Sequence, residues 1–328
     1  MESNTNKQQK KEAEFLSIFD IYKQFPFDWS LISNIIHWQS GTELLLGDLF
    51  AFETGDQFIN RMDSKAFEER VKNLHNLLVS KTPFEQTYDL FVQNDQICTV
   101  CEKGRLVNSP QGYPVQFQGV LECVSPPVSM DRSAQPKPPG TKDKNTGFLH
   151  RQAIVKHLEK ILADDTGEPI ESAFVHMRIN RLAQIGLQYG LQETQKVIKR
   201  IANEIRGVMR DCDEIGRLSG NSFGIILDKC NQHEIVAVAK RLVEAIEFAG
   251  IRAKDSNVPI QVAIGGSVIR AHEKITPEVI IQHSERALMD AVNIKKMALP
   301  TAFVSQRLQN QEEISHSRRK EDLQDQQS

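Results

Sequence analysis

Residues 126–139, PPVSMDRSAQPKPP, hold five of the chain's thirteen prolines and almost no apolar side chains, and Gly140 follows. Proline fixes φ and has no amide hydrogen to donate, so neither a buried helix nor a buried strand can run through this stretch. It predicts a semi-extended linker over 126–144 that divides the 328 residues into an N-terminal domain over 26–125 and a C-terminal domain over 145–305. With 40% hydrophobic and 25% charged positions, a chain of this length has the material for about two globular domains. Residues 1–25 read as a polar segment followed by a short amphipathic helix over 12–24, where Phe15, Ile18, Phe19 and Tyr22 share one face. That face packs on its own domain or makes a dimer contact. Residues 306–328 form a charged, Gln-rich tail whose large apolar positions are Leu308, Ile314 and Leu323.

Lys and Arg number 40 against 43 Asp and Glu, a net charge of −3 that gives no broad basic footprint for nucleic acid or an anionic membrane. No stretch approaches the roughly 18 apolar residues of a spanning helix, and Met1–Lys11 is polar where a signal peptide is apolar, so the chain reads as cytoplasmic. The five cysteines, Cys98, Cys101, Cys123, Cys212 and Cys230, read as reduced thiols rather than a disulfide framework. Cys98 and Cys101 form a CxxC within a strand-like run, where residues three apart face opposite sides, so the two sulfurs are expected not to converge on a metal.

In the N-terminal domain the pattern predicts strands over SLISNIIHW and TELLLGDLF, a helix over SKAFEERVKNLHNLLVS, and strands over PFEQTYDLFV, QICTVCEKGRLV and PVQFQGVLECV. This is an α+β layout, an antiparallel sheet covered by helices. The region of Trp38, Ser40 and Leu45–Gly47, the run from Phe84 to Val92, and the segment GRLVNSPQGYPVQFQGVLECV together resemble a PAS domain. That resemblance implies a sensor or dimerisation role. The candidate cofactor handle is His75, on the helix where haem-binding members place an axial ligand. A single helical His more often serves structure, and no cofactor is assigned.

In the C-terminal domain helices and strands alternate: a helix over 147–165, a strand over 171–179, a helix over 193–210, a strand pair over 213–220 and 222–227, a helix over 233–250, a strand over 259–269, a helix over 277–292 and a strand over 301–305. A sandwich of the α/β or α+β class around a mixed sheet follows. Thr146-Gly147 with Arg151, the segment RDCDEIGRLSGNSFGIIL, and Ser284–Met289 occur in the order and spacing of a GGDEF domain. The chain therefore resembles the diguanylate cyclase fold, which joins two GTP molecules into cyclic di-GMP.

The resemblance implies carboxylates that hold divalent cations against the GTP phosphates. At the corresponding places this sequence has Asn221 and Ser222 in the signature Ser219–Phe223, and Arg178 at the end of the preceding strand. Neither Asn nor Ser supplies the negative charge that draws Mg²⁺ from water, and a guanidinium repels it. The family's base-contacting positions fall on Gly186 and Gln195 and a closing Lys falls on Val292, while Lys296 retains the last basic position. No metal site and no catalytic residue are expected. Arg178 either clamps a phosphate directly or forms a surface or interdomain salt bridge. Gly220 is expected to take a positive φ in a hairpin turn.

Arg210-Asp211-Cys212-Asp213 retains the RxxD pattern that in active members forms an inhibitory product site, and Arg241 matches a secondary contact. Arg210 suits phosphate or guanine and Asp213 the guanine edge, so cyclic di-GMP is the candidate ligand; a local capping role is the alternative. SRRKEDLQ in the tail resembles the linker that opens a following EAL phosphodiesterase domain, or is an unstructured charged tail. The resulting expectation is a noncatalytic bacterial signalling protein with a protein partner or a homodimer. The competing readings are a cyclase tolerant of its substituted site and a pure interaction scaffold.

Overall fold

The computed structural model describes residues 24–39, 53–91, 96–125, 128–129, 142–163, 171–254, 256–270 and 275–295. The helix expected over 12–24 (save Gln24), the strands expected over 42–50 and 301–305, Lys296 and the tail lie outside the described residues.

The N-terminal half contains β1 (Gln24–Ser30), β2 (Ile36–Trp38), α1 (Gly55–Asn60), α2 (Ser64–Ser80), β3 (Phe84–Phe91), β4 (Gln96–Asn108) and β5 (Pro114–Cys123). The strands form an antiparallel sheet in the order β2-β1-β5-β4-β3. The strand expected over SLISNIIHW is broken instead. Phe25, Phe27 and Trp29 alternate inward along β1, and Asn34 then takes a left-handed φ of 66° in the turn to β2. Pro26 within β1 disguised that strand.

Helix α2 begins where Asp63 accepts the Ala66 N–H at 2.6 Å and ends at Lys81, which is left-handed. Ala66, Phe67, Arg70, Val71, Leu74 and Leu77 make its buried face at helical spacing. The proline-rich stretch is not extended linker throughout: β6 (Val128–Ser129) pairs with the start of β4, and by Lys142 the chain already bridges to Leu149.

The C-terminal half runs β7 (Leu149–His150), α3 (Arg151–Leu162), β8 (Glu171–Ile179), α4 (Leu182–Tyr189), α5 (Leu191–Val208), β9 (Glu214–Arg217), β10 (Ser222–Leu227), α6 (Gln232–Phe248), β11 (Arg252–Ala253), β12 (Ser256–Asn257), β13 (Val262–Arg270) and α7 (Pro277–Lys295). Its sheet has the order β13-β8-β10-β9-β7, antiparallel except for the β7–β9 pair. Central β8 is covered on both faces. Ala173, Val175, Met177 and Ile179 join the larger core, while Phe174 packs with Ile154, Leu158, Ile226 and Ile280. His176 and Arg178 continue the Phe174 face.

The composition suggested two domains, yet one continuous hydrophobic cluster extends from Phe25 through Phe67, Val71 and Leu74 into Ile179, Leu182, Val197 and Ile201. Helix α2 lies along α4 and α5. Among the described residues no helix is long and apolar enough to cross a membrane.

Candidate functional site

The β9–β10 turn, Leu218–Asn221, is closed by a hydrogen bond from the Leu218 N–H to the Ser222 carbonyl at 2.9 Å. Its side chains point inward: Ser219, Asn221 and Ser222 are each no more than 2% exposed. What covers them comes from the N-terminal half. The Gly220 N–H donates to the Met62 carbonyl at 3.3 Å, Ser219 Oγ donates to Asn60 Oδ1 at 3.0 Å, and Asn221 Nδ2 donates to the Asp56 and Ile179 carbonyls at 3.4 and 3.3 Å. Ser219 and Ser222 share a hydroxyl contact of 2.8 Å.

Gly220 does not have a positive φ, contrary to the hairpin expectation. Its reason is proximity, because a Cβ there would stand 2.4 Å from Phe67 Cβ and Cγ. Gly186 is the same case, with Val71 Cγ1 only 2.6 Å from where its Cβ would be. Both glycines let α2 lie against the C-terminal half. Gln195, the other base-contacting position of the resemblance, has its side chain hydrogen-bonded to Glu68 of α2. Val292 lies on α7.

Arg217 fastens this seam. Its guanidinium donates to the Ser219 and Gly220 carbonyls at 3.3 and 3.1 Å and pairs with Asp143 at 3.3 Å and Glu68 at 3.7 Å. Burial would raise the Asp143 carboxyl, but Arg217 and the donors of Thr146 outweigh it and hold it low. Burial raises Glu68 despite Arg217.

Arg178 is fully buried opposite Ser222 and Ala263, and its charge faces Asp56 and Glu285. Its Nε and Nη1 have no hydrogen-bond partner, and neither has either ring nitrogen of His176 two residues earlier. Burial lowers the Arg178 guanidinium and pushes the His176 imidazole down to about 4. Burial raises Glu285, but Arg61, His176, Arg178 and a 2.9 Å hydrogen bond from Asn60 Nδ2 bring it below its usual range. Arg178 thus occupies an interdomain charge cluster. No group of three or more His, Cys, Asp or Glu able to hold a metal ion occurs among the described residues.

Asp213 staples a turn, accepting the Arg210 N–H at 2.9 Å on Oδ2 and the Asp228 N–H at 3.3 Å on Oδ1. Arg210 and Arg241 are exposed. His75 points away from its own domain's interior: Nδ1 lies 2.9 Å from the Leu187 carbonyl, and the ring lies against Gly190. The CxxC sulfurs diverge as expected. Cys101 Sγ contacts Glu85, whereas Cys98 Sγ lies 3.9 Å from Cys123 Sγ, a pairing across β4 and β5 that spacing along one strand could not reveal.

The interior of the N-terminal half holds a buried ion pair that sequence reading missed. Arg70 Nε and Nη2 donate to the two Glu102 oxygens at 2.8 Å each, and Tyr88 Oη adds a third donor at 2.8 Å. The guanidinium lies 5.1 Å from the Phe58 ring centre and 5.3 Å from that of Trp29. Burial alone would lower Arg70, but the Glu102 charge and its hydrogen bonds raise it.

Residues 141–298 match the family described as "Diguanylate cyclase, GGDEF domain", and this segment is a GGDEF domain. Curated relatives include an uncharacterized protein, YhcK, of Bacillus subtilis, 23% identical over 107 residues (32% of this chain, 30% of that protein). They also include the cyclic di-GMP phosphodiesterase NbdA of Pseudomonas aeruginosa, 26% identical over 109 residues (32% and 13%), and the diguanylate cyclase DgcP of the same organism, 25% identical over 149 residues (45% and 22%). The chain therefore spans less than a third of the length of each of these relatives. Among solved structures, it is similar to the GGDEF domain of TpbB (YfiN) from Pseudomonas aeruginosa, 22% identical with a TM-score of 0.45, covering 53% of this chain and 99% of that one. The GGDEF domain of DgcB from Caulobacter crescentus in complex with c-di-GMP is 16% identical with a TM-score of 0.46, covering 53% and 99%.

Proposed function

We propose that this chain is a noncatalytic signalling protein whose GGDEF domain works as a regulated binding module rather than as a cyclase. The observation that carries the reading is the burial of Ser219–Ser222 and Arg178 beneath Asp56, Asn60, Met62 and Phe67. A nucleotide reaching the turn would have to displace α1 and α2, and the exposed turn would present Asn221 and Ser222 where cation chemistry requires carboxylates. The N-terminal half is read as a PAS-like docking or dimerisation module, because Arg70, Glu102 and the surrounding aromatic rings fill its interior. Incubation with GTP and Mg²⁺ or Mn²⁺ is expected to yield no cyclic di-GMP above a protein-free blank. Sustained, protein-dependent product formation overturns the reading.

A second role rests on Arg210 and Arg241, which are exposed outside the sealed turn. In this reading they hold cyclic di-GMP by phosphate or guanine contacts while Asp213 shapes the turn between them and the ligand. Arg210→Ala is expected to weaken calorimetric binding of cyclic di-GMP about tenfold or more, the scale of a lost charge-assisted hydrogen bond. Asp213→Ala is expected to weaken binding and also lower thermal stability, because it frees two backbone amides. Absence of binding heat in the wild-type protein leaves a protein-interaction scaffold.

A further inference from the structure

Cys98 on β4 and Cys123 at the end of β5 belong to the core of the N-terminal half, and neither is more than 3% exposed. Cys123 stands opposite Val100, so the two cysteines are diagonal neighbours on adjacent strands and share the inner face of the sheet. Their sulfurs are 3.9 Å apart, and Cys98 Sγ also donates to the Ser125 carbonyl at 3.3 Å. The other three thiols lie elsewhere: Cys101 contacts Glu85, Cys230 contacts the Asn231 carbonyl, and Cys212 is exposed. The sulfur pair sits where the chain leaves the N-terminal half. Past Cys123 the strand bends out of its ladder, the Val124 and Ser125 N–H groups both donating to the Thr99 carbonyl at 2.9 and 3.4 Å. β6 then pairs with Gln96 and Ile97, immediately before Cys98. The hydrogen bond to Cys123 and burial both raise the Cys98 thiol, so in this closed arrangement it is a protonated, slow nucleophile.

We propose that Cys98 and Cys123 are an oxidisable dithiol, closed to a disulfide by a hydroperoxide, and that the bridge shifts the strand end from which β6 departs. The Cys123 thiol, the more exposed of the two, loses its proton and attacks one peroxide oxygen; the O–O bond breaks, water or an alcohol leaves, and Cys123 becomes a sulfenic acid. The Cys98 sulfur then attacks the Cys123 sulfur, the S–S bond forms, the S–O bond breaks, and the departing hydroxide takes the Cys98 proton as water. In all, two thiols give up two electrons and two protons to the peroxide. The bridge requires the sulfurs to approach to about 2.05 Å, a movement of about 2 Å. Cys98 is held in register with Leu90 of β3, so the movement falls on the bent end, Cys123–Ser125. Oxidation and the seating of β6 are therefore coupled in both directions: the bridge displaces β6, and freeing β6 admits the oxidant. This inference does not depend on how the GGDEF domain works.

The test uses the full chain carrying Cys212→Ser, which removes the exposed thiol, treated with hydrogen peroxide, alkylated under denaturing conditions and weighed intact. The protein is expected to lose the mass of two hydrogens and two alkylatable thiols, to yield a cross-linked Cys98–Cys123 peptide on digestion, and to recover both thiols with dithiothreitol. Adding Cys98→Ser should abolish the bridge; if that variant fails to fold, the peptide map of the parent, in which neither buried cysteine is changed, gives the same reading. Val128→Pro, which removes a backbone donor from β6, is expected to speed bridging about tenfold or more by opening the strand end. Hydrogen exchange at Gln96–Ile97 is expected to rise about tenfold in the bridged protein. Free thiols surviving at both positions in the parent and in Val128→Pro, or sulfinic acid on Cys123 beside a free Cys98, overturns the proposal. A bridge that forms equally fast with and without Val128→Pro, and leaves exchange at Gln96–Ile97 unchanged, overturns the coupling to β6.

Discussion

Glu102→Ala lowers the unfolding free energy by about 3–5 kcal/mol, the cost of stranding a buried charge whose partner has been removed. Arg70 is left with its guanidinium enclosed by Trp29, Phe58, Phe84 and Phe117 and without either of its two hydrogen bonds to Glu102, and Tyr88 Oη loses the same acceptor. The double change Arg70→Met with Glu102→Leu is expected to recover most of that loss, because an apolar pair of similar volume carries no desolvation penalty. Urea unfolding of the two single variants and the double variant decides the matter. A double variant as unstable as Glu102→Ala means that the ion pair is not the origin of the loss.

Acid is expected to destabilise this protein through His176. Its pKa, pushed down by burial to about 4 against 6.5 for free imidazole, makes the unfolded chain bind the proton first. Stability is therefore full above pH 6.5 and falls as the pH drops through the interval down to about 4, by about 3 kcal/mol in all. His283, also lowered by burial and by Arg286, acts in the same direction. Glu285 and Asp143, held low, lose their contribution only below the ordinary carboxylate range. Asp56 and Glu68 are raised, so they oppose the His176 effect as the pH falls. The measurement is accordingly a difference: chemical unfolding of wild type and His176→Leu across this interval. The variant is expected to show the shallower pH dependence, and equal slopes would mean that native His176 accepts its proton.

Local chemistry made much of the fold legible. The α2 range matches the apolar periodicity of SKAFEERVKNLHNLLVS, and β8 matches the run ESAFVHMRI residue for residue. Errors arose where two signals competed. A helix was expected over 147–165, but Leu149 and His150 pair with β9, so α3 starts at Arg151. Short α4 and the β11–β12 hairpin escaped because eight and two residues give little periodicity to read.

At the site, the residue types at 178, 221 and 222 were visible, but what surrounds them was not. Periodicity shows that a face is apolar without showing what covers it. Asp56, Asn60 and Phe67 reach the turn from more than 150 residues away in sequence. The available signal was the width of the α2 face, where Phe67, Arg70, Val71 and Leu74 exceed what one sheet needs to cover. Gly220 was assigned to a backbone requirement when the requirement was space for Phe67.

The continuous core has a consequence for how such a protein can evolve. Signalling chains diversify by transplanting a unit from one context to another, and a transplant survives when its surface is complete without its old neighbour. Here Gly186 and Gly220 are notches cut to the outline of Val71 and Phe67, and Arg217 divides its charge between Asp143 and Glu68. Cut free, residues 141–298 would carry an apolar scar and vacant notches that only this α2 fills. A larger side chain at 186 or 220 is therefore expected to require a smaller one at Val71 or Phe67.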